Sequence, residues 1–189
     1  MKQKARYWLS DALALRLARK IRAAWADQRG VAAIEFGIFS IMLAASLANV
    51  ADVSIYIYQR MQVENATEIA AQAALKTCAS TLPATVNCPN MLGAMQTAMQ
   101  STSLGNAVTF QNGSPAEGYY CINASGALQY VSDVSSRPAD CTAAGMPSLQ
   151  PGDYITIQTT FTYTPIFAKL SVAAGFPSPI TRSAMLRLG

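Results

Sequence analysis

The stretch that most constrains this chain covers residues 30–51, where Glu35 carries the only formal charge. A helix rises ~1.5 Å per residue and the hydrocarbon core of a bilayer is ~30 Å thick, so a stretch of this length matches one crossing. The sequence therefore predicts a transmembrane helix. A buried core helix is the main alternative. A secretory signal is another, although its apolar region is shorter and ends at a small-residue cleavage site.

Positive charge is concentrated before this stretch. Residues 1–30 contain eight Lys and Arg against Asp11 and Asp27, a net charge of +6, whereas residues 31–189 contain six against eight acidic residues, a net charge of −2. Basic residues flanking a membrane helix stay on the cytoplasmic side, so residues 1–30 are expected to be a basic cytoplasmic leader and the remainder to be exported. The exported part has too few basic residues for a nucleic-acid groove.

Helix-favouring sequence continues beyond the apolar stretch. Neither Gly nor Pro occurs again until Pro83, so the helix is expected to extend from about Val31 to about Ala79. We assign residues 31–57 to the transmembrane helix and residues 58–80 to its exported continuation. A stripe of small residues on this continuation is expected to pack closely against a neighbouring subunit or against the chain's own domain. Its members are Ala66, Ala70, Ala73 and Thr77.

Residues 81–189 are expected to form one small α+β domain with an antiparallel sheet, because turn-forming residues separate short apolar runs. The alternation in YITIQTTFTY predicts a strand with one core face and one threonine-rich face, and ITRSAMLRLG is expected to pair with it. The predicted elements are a helix over 89–100, a hairpin over 118–132, strands over 154–163 and 180–189, and a long connection over 165–179 that holds a helical turn or a flap.

Four cysteines all lie in the part expected to be exported. Their even number suits an oxidising compartment, and their spacing matches no zinc site in a chain that has no histidine. Three pairings are possible, with free thiols as the alternative. We favour Cys78–Cys88 and Cys121–Cys141, because each closes a loop that leaves the end of the long helix or the hairpin.

No catalytic constellation is found in the sequence. The absence of histidine removes most acid-base and nucleophile relays, and the chain has neither a Gly-rich phosphate loop nor a nucleophile elbow. The acidic residues after Glu68 lie close to Gly, Pro or Ser and are expected to be solvated turn carboxylates. These residues are Glu117, Asp133, Asp140 and Asp153. We therefore predict no catalytic residue, no metal site and no cofactor.

The junction QRGVAAIEF places a glycine between the basic leader and the apolar stretch, with an acidic residue soon after it. A carboxylate in hydrocarbon costs ~2.5–3.5 kcal/mol unless it finds a partner. Cleavage after Gly30 would give Val31 a new α-amino group, and this amine, from the same or a neighbouring subunit, could neutralise Glu35. The motif is that of type IV prepilins, which the chain resembles.

The sequence that follows resembles the TadE-like family of minor pilins, or pseudopilins, of the tight-adherence (Flp-type) pilus machinery. The family pattern is a Gly, small residues, Glu-Phe, an apolar span, an acidic residue near its outer end, then an aromatic and a Gln/Asn/Ala-rich helix. The matching positions are Gly30, Glu35, Phe36, Asp52, Tyr56, Gln62, Asn65 and Ala66. The stretches ITIQTTFTYTPIF and SAMLRL resemble the family's closing strand pair, whereas residues 80–150 show no resemblance.

This resemblance implies a single-pass precursor in the bacterial inner membrane, with a cytoplasmic N-terminus and a periplasmic domain. A prepilin peptidase would cleave it between Gly30 and Val31. The mature subunit would then assemble with other pilins on the pilus assembly platform, with Glu35 and Phe36 in subunit registration. The resemblance implies no catalysis by the chain. The competing hypothesis is a bitopic envelope protein whose exported domain binds a partner or ligand without filament assembly.

Overall fold

The structure, a computed structural model, describes residues 28–189. The leader expected over residues 1–30 lies outside the described residues except for its end at 28–30. The chain divides into two compact units between Ala48 and Asn49, and one long helix, α1 (Gln28–Cys78), contributes residues to both. An antiparallel sheet follows this helix, so the layout is α+β as the sequence predicts.

Helix α1 nearly coincides with the predicted helix. The predicted bounds are about Val31 and about Ala79, so the described helix begins three residues earlier and ends one residue earlier. The helix stops shortly before Pro83, where the residue preceding a proline is disfavoured in helical conformation. Residues 49–57, which the sequence analysis assigned to the membrane segment, belong to the second compact unit.

Two shorter helices follow. Helix α2 (Ala84–Asn87) is a single turn that the sequence analysis did not predict. Helix α3 (Met91–Gln100) falls within the predicted 89–100 segment and buries Met91, Met95 and Met99 along one face. The spacing of four residues therefore marks a packing face, because residues at i, i+4 and i+8 lie on one side of a helix.

The sheet is built around β4 (Gly152–Phe161). Strand β5 (Ile180–Arg187) pairs along one edge of it, and β1 (Thr109–Phe110) and β2 (Ala116–Ile122) share its other edge one after the other. Strand β3 (Leu128–Asp133) pairs with β2 as the predicted hairpin, and all pairings are antiparallel. The sequence analysis predicted β2 to β5 but not β1, which has only two residues.

The core of the second unit lies between the sheet and α1. In β4, Ile155, Ile157 and Thr159 are fully buried, as the alternation predicts, whereas Gln158 on the other face is exposed. Ile155 and Ile157 belong to one hydrophobic cluster with Val63 and the small residues of α1. The hydroxyls of Thr67 and Thr159 meet inside it at 2.6 Å, which lets two buried polar groups satisfy each other.

The buried face of α1 differs in part from the predicted small-residue stripe. Ala66 and Ala70 are fully buried, but Ala73 is half-buried and Thr77 is exposed. Ala74 and Cys78 are buried in place of the last two, so the close contact continues at intervals of four residues. This face packs against the chain's own domain, which is one of the two occupants that the sequence left open.

Two disulfides are formed, with the pairing that the sequence analysis favours. Cys78–Cys88 joins the end of α1 to the segment before α3, and Cys121–Cys141 joins β2 to the loop after β3. The second disulfide lies in a separate small core with Ala144. The 165–179 connection contains a turn over 166–170 and one helical turn at Val172–Gly175, the first of the two conformations expected for it.

Candidate functional site

The first part of α1 is apolar and uncovered. Helix α1 is the one helix in the described range that is long and apolar enough to cross a membrane, and its most apolar window contains no buried residue. Phe36 is 72% exposed, and Glu35 beside it is exposed and forms no ion pair within residues 28–189. Other exposed large apolar residues here are Val31, Ile34, Ile38, Phe39, Ile41, Met42, Leu43 and Leu47.

The two glycines of this part have no packing role in the described structure. A Cβ atom placed on Gly30 or on Gly37 would meet no heavy atom within 4 Å. Both residues lie inside α1, where glycine is destabilising by roughly 0.5–1 kcal/mol relative to alanine. The fold of the described residues therefore gives no reason for glycine at position 30.

A second apolar surface lies on α1 within the second unit. Val50, Ile57, Tyr58 and Met61 are between 51% and 64% exposed, and their spacing places them on one face of the helix. We call these four residues the outer stripe. In this unit α1 is thus apolar on two faces, one covered by the sheet and the other exposed. The outer stripe was not predicted, because the stripe of small residues was the only face of the exported helix that was considered for packing.

Three side chains at the beginning of the second unit hold the connection between β4 and β5. Asn49, Asp52 and Tyr56, which we call the clasp, are spaced i, i+3 and i+7 and so lie on one face of α1. Asp52 is fully buried. Its Oδ1 accepts the backbone N–H of Ile166 and its Oδ2 that of Phe167, both at 3.0 Å. Each carboxylate oxygen thus has a donor.

The side-chain amide of Asn49 forms hydrogen bonds through both its NH2 group and its oxygen. Its Nδ2 donates to the carbonyl of Leu170 at 3.1 Å, and its Oδ1 accepts the backbone N–H of Val172 at 2.8 Å. Asn49 and Asp52 together therefore fix the backbone of residues 166–172. We call this segment the clasped loop.

The aromatic member of the clasp packs between two rings. Tyr56 meets Tyr163 edge-on at 5.0 Å between centroids and Phe176 at 4.8 Å. The Tyr163 hydroxyl donates to the backbone carbonyl of Asp52 at 3.2 Å. Burial, followed by the charge of Asp52, raises the pKa of Tyr163, so this hydroxyl remains a donor at neutral pH.

In the sequence, Asp52 and Tyr56 stand out only as matches to a family pattern, and Asn49 is not among the predicted site residues. The structure brings the three together on the connection between β4 and β5, with Asn49 and Asp52 on the clasped loop and Tyr56 on the rings of Tyr163 and Phe176 at either side of it. One feature of the sequence pointed to the clasp: two polar residues lie three positions apart at the outer end of an apolar stretch. When such residues are buried, their polar groups need hydrogen-bond partners. The identity of that partner, more than 100 positions away in the chain, had no signal in the sequence.

A second polar cluster corrects the prediction that the late acidic residues lie in turns. Glu117 lies in β2 and accepts the backbone N–H groups of Ala84 and Thr85 at 2.7 and 2.6 Å, which caps α2. Asp153 lies in β4 and is 5% exposed. Burial and the nearby negative charge of Glu117 raise the pKa of Asp153 to about 6, against the opposing charge of Arg137.

The other two late acidic residues bond within the turns that follow them, as predicted. Asp133, the last residue of β3, is exposed and Asp140 is half-buried, and hydrogen bonds from Ser135 and Thr142, respectively, lower their pKa values. Such local bonding from a side chain two residues ahead is typical of turns. These carboxylates therefore stabilise their own loops.

The described residues contain no group of three or more His, Cys, Asp or Glu side chains that could hold a metal ion. An open groove of about 300 Å³ between α1 and β5 is lined by Glu64, Glu68 and Arg182, of which Arg182 and Glu64 approach to 3.7 Å. Comparison of the chain with family models, with curated proteins and with solved structures finds no match.

Proposed function

We propose that this chain is a minor pilin or pseudopilin of a tight-adherence-type pilus or a related secretion machinery, processed after Gly30 and assembled through α1. One observation carries the proposal: the exposed apolar part of α1 contains Glu35, which has no ion-pair partner within residues 28–189. In hydrocarbon such a carboxylate needs a partner. After cleavage, the α-amino group of Val31 on a neighbouring subunit would carry a positive charge. It would lie at about the same depth in the membrane as Glu35.

The outer stripe supports assembly through the same helix. Side chains such as Ile57 and Met61 remain exposed although they lie beyond the apolar span, on the face of α1 that the sheet does not cover. Exposed apolar residues grouped on one helix face are typical of helix-to-helix contact. In a filament whose core is made of packed N-terminal helices, this stripe would continue the subunit contact outward from the membrane segment.

The glycine at position 30 supports processing. The fold has no packing requirement for it, so its presence before Val31 fits recognition by a separate enzyme rather than a role in the described structure. The prepilin peptidase is the partner that this hypothesis requires.

Intact-mass analysis of the membrane-extracted protein tests processing. We expect a mature N-terminus at Val31 in cells that contain the peptidase, and retention of Met1 when Gly30 is changed to Val. Gly37→Val is the matched control, because it makes the same change at an equally open glycine of the same helix and should leave cleavage intact. Retention of Met1 in the unaltered chain would contradict the proposal and favour the bitopic envelope protein.

Assembly is tested separately with Glu35→Gln. This variant should be cleaved normally, because the scissile bond is unchanged, but it should be lost from sheared filaments or from crosslinked subunit pairs. Glu68→Gln is the control, since Glu68 is an exposed acidic residue further along the same helix. Normal incorporation of Glu35→Gln would show that Glu35 does not register subunits.

A further inference from the structure

The clasped loop exposes several apolar side chains at once. Ile166, Leu170 and Val172 are 66%, 67% and 64% exposed, and Phe167 is 41% exposed. The connection over residues 165–179 contains a single charged residue, Lys169, and no acidic residue. Single exposed apolar residues are ordinary on protein surfaces, but a group of them in one short loop indicates a contact surface.

The clasp determines where this surface lies along α1. The loop is bonded to Asn49, which lies at the outer end of the apolar stretch, and to Asp52, which comes directly after it. If the apolar stretch crosses a bilayer, these two positions leave the hydrocarbon first. The loop attached to them is then held at the level of the membrane surface.

The loop's backbone is suited to a region of low polarity. The N–H groups of Ile166 and Phe167 are taken by Asp52, and those of Leu170 and Ser171 donate to the carbonyl of Phe167 at 2.8 and 2.9 Å. Unpaired backbone groups are the main obstacle to placing a loop near hydrocarbon. Here five of the seven backbone N–H groups of residues 166–172 are already paired within the protein.

We propose that the clasped loop inserts its apolar side chains into the outer leaflet of the same bilayer that α1 crosses, with Lys169 among the lipid headgroups. An apolar surface with a basic residue is the composition of segments that lie in a membrane interface, where side chains are buried by ~5–10 Å. The inference rests on the membrane-spanning part of the proposed function and does not depend on cleavage or filament assembly.

Tryptophan fluorescence in lipid vesicles tests this. The full chain carries Trp8 and Trp25, so Trp8→Phe with Trp25→Phe gives a background without tryptophan. A single tryptophan is then placed at Leu170. The matched control is Val86→Trp on α2, whose side chain has the same 67% exposure, and Phe39→Trp reports on the span itself. Each variant is reconstituted at low density in anionic vesicles whose lipids carry bromine near the headgroup or deep in the acyl chain.

We expect bromine near the headgroup to quench Leu170→Trp and to leave Val86→Trp bright, and deep bromine to quench Phe39→Trp. If Phe39→Trp is quenched and Leu170→Trp is not, the loop does not contact lipid, although the helix is inserted. If neither is quenched, both this inference and the membrane part of the proposed function are wrong. Lys169→Glu in the Leu170→Trp chain should reduce the quenching, and unchanged quenching would exclude the contact with anionic headgroups.

Discussion

The carboxylate of Asp52 on α1 accepts the backbone N–H of Phe167 at 3.0 Å and so joins two residues 115 positions apart. The other oxygen of the same carboxylate accepts the N–H of Ile166. A single buried side chain therefore connects the helix to the segment between the two longest strands.

Asp52→Asn should destabilise the second unit. An amide has one acceptor oxygen and would turn its NH2 group toward one of the two backbone N–H donors, leaving that donor unpaired. An unsatisfied buried donor costs ~1–3 kcal/mol, so the free energy of unfolding should fall by that amount. Denaturant unfolding of the detergent-solubilised full chain measures it, with the exposed Glu68→Gln as a control that should change little. Equal stability of Asp52→Asn and the unaltered chain would contradict the assigned role.

The hydroxyl pair of Thr67 and Thr159 should show strong coupling. Thr67 donates to the carbonyl of Val63 at 2.7 Å, so the hydrogen between the two hydroxyls comes from Thr159. Thr67→Val alone leaves the buried Thr159 hydroxyl without its acceptor and should cost ~1–3 kcal/mol. The double variant with Thr159→Val replaces both polar groups by methyl groups of similar shape and should cost less than the sum of the single variants. Additive losses in a double-mutant cycle would show that the two hydroxyls do not interact.

Asp153 should make the unfolding free energy depend on pH. Its folded pKa of about 6 lies above the value of ~3.9 for an unfolded chain, so the folded state binds more protons between these values. With regard to this group, the folded state is therefore most stable below pH ~4, where Asp153 is protonated. It loses stability as the pH rises through about 6 and the buried carboxyl ionises. Asp153→Asn should therefore be more stable than the unaltered chain at pH 7, by ~1–3 kcal/mol, with little difference at pH 4. Unfolding curves at the two pH values decide this, and parallel profiles for both proteins would rule it out.

Loss of the Cys121–Cys141 disulfide should loosen the smaller core. The bond closes a loop with a sequence separation of 20 and lies in a cluster that contains few other buried residues. Changing both cysteines to Ala should lower the free energy of unfolding by ~2–4 kcal/mol. A double variant as stable as the parent would mean that the β2 to β3 hairpin holds the loop unaided.

The elements that could be predicted from the sequence are those with a local signal. Helix α1 follows from the absence of Gly and Pro over a long range, and β4 from strict alternation. Strand β1 was missed because two residues give no periodicity, and it exists only because β4 extends beyond the end of β2. The predicted α1 stripe was partly misplaced because small residues at several positions fit a helical spacing, and only the sheet decides which of them is covered.

The polar residues likewise divide into those with local partners, which could be predicted, and those with distant partners, which could not. Asp133 and Asp140 were placed correctly because their partners lie two positions ahead in the chain. Asp153 and Glu117 were not, because nearby Gly and Pro suggested turns while pairing between strands determined burial. Asp52 was noticed, but its partners at 166 and 167 become neighbours only through the packing of the whole domain.

The separation along the chain between α1 and its partners also sets the order of events during synthesis. The buried face of α1 meets residues of β4 and of the clasped loop, which are made 92 to 123 positions later. The sheet cannot close on the helix until its last strands have been made. Until then the alanine-rich face of α1 has no partner within the chain. If the domain is exported, as the proposed function requires, a chaperone that binds the unfinished protein would meet that face first.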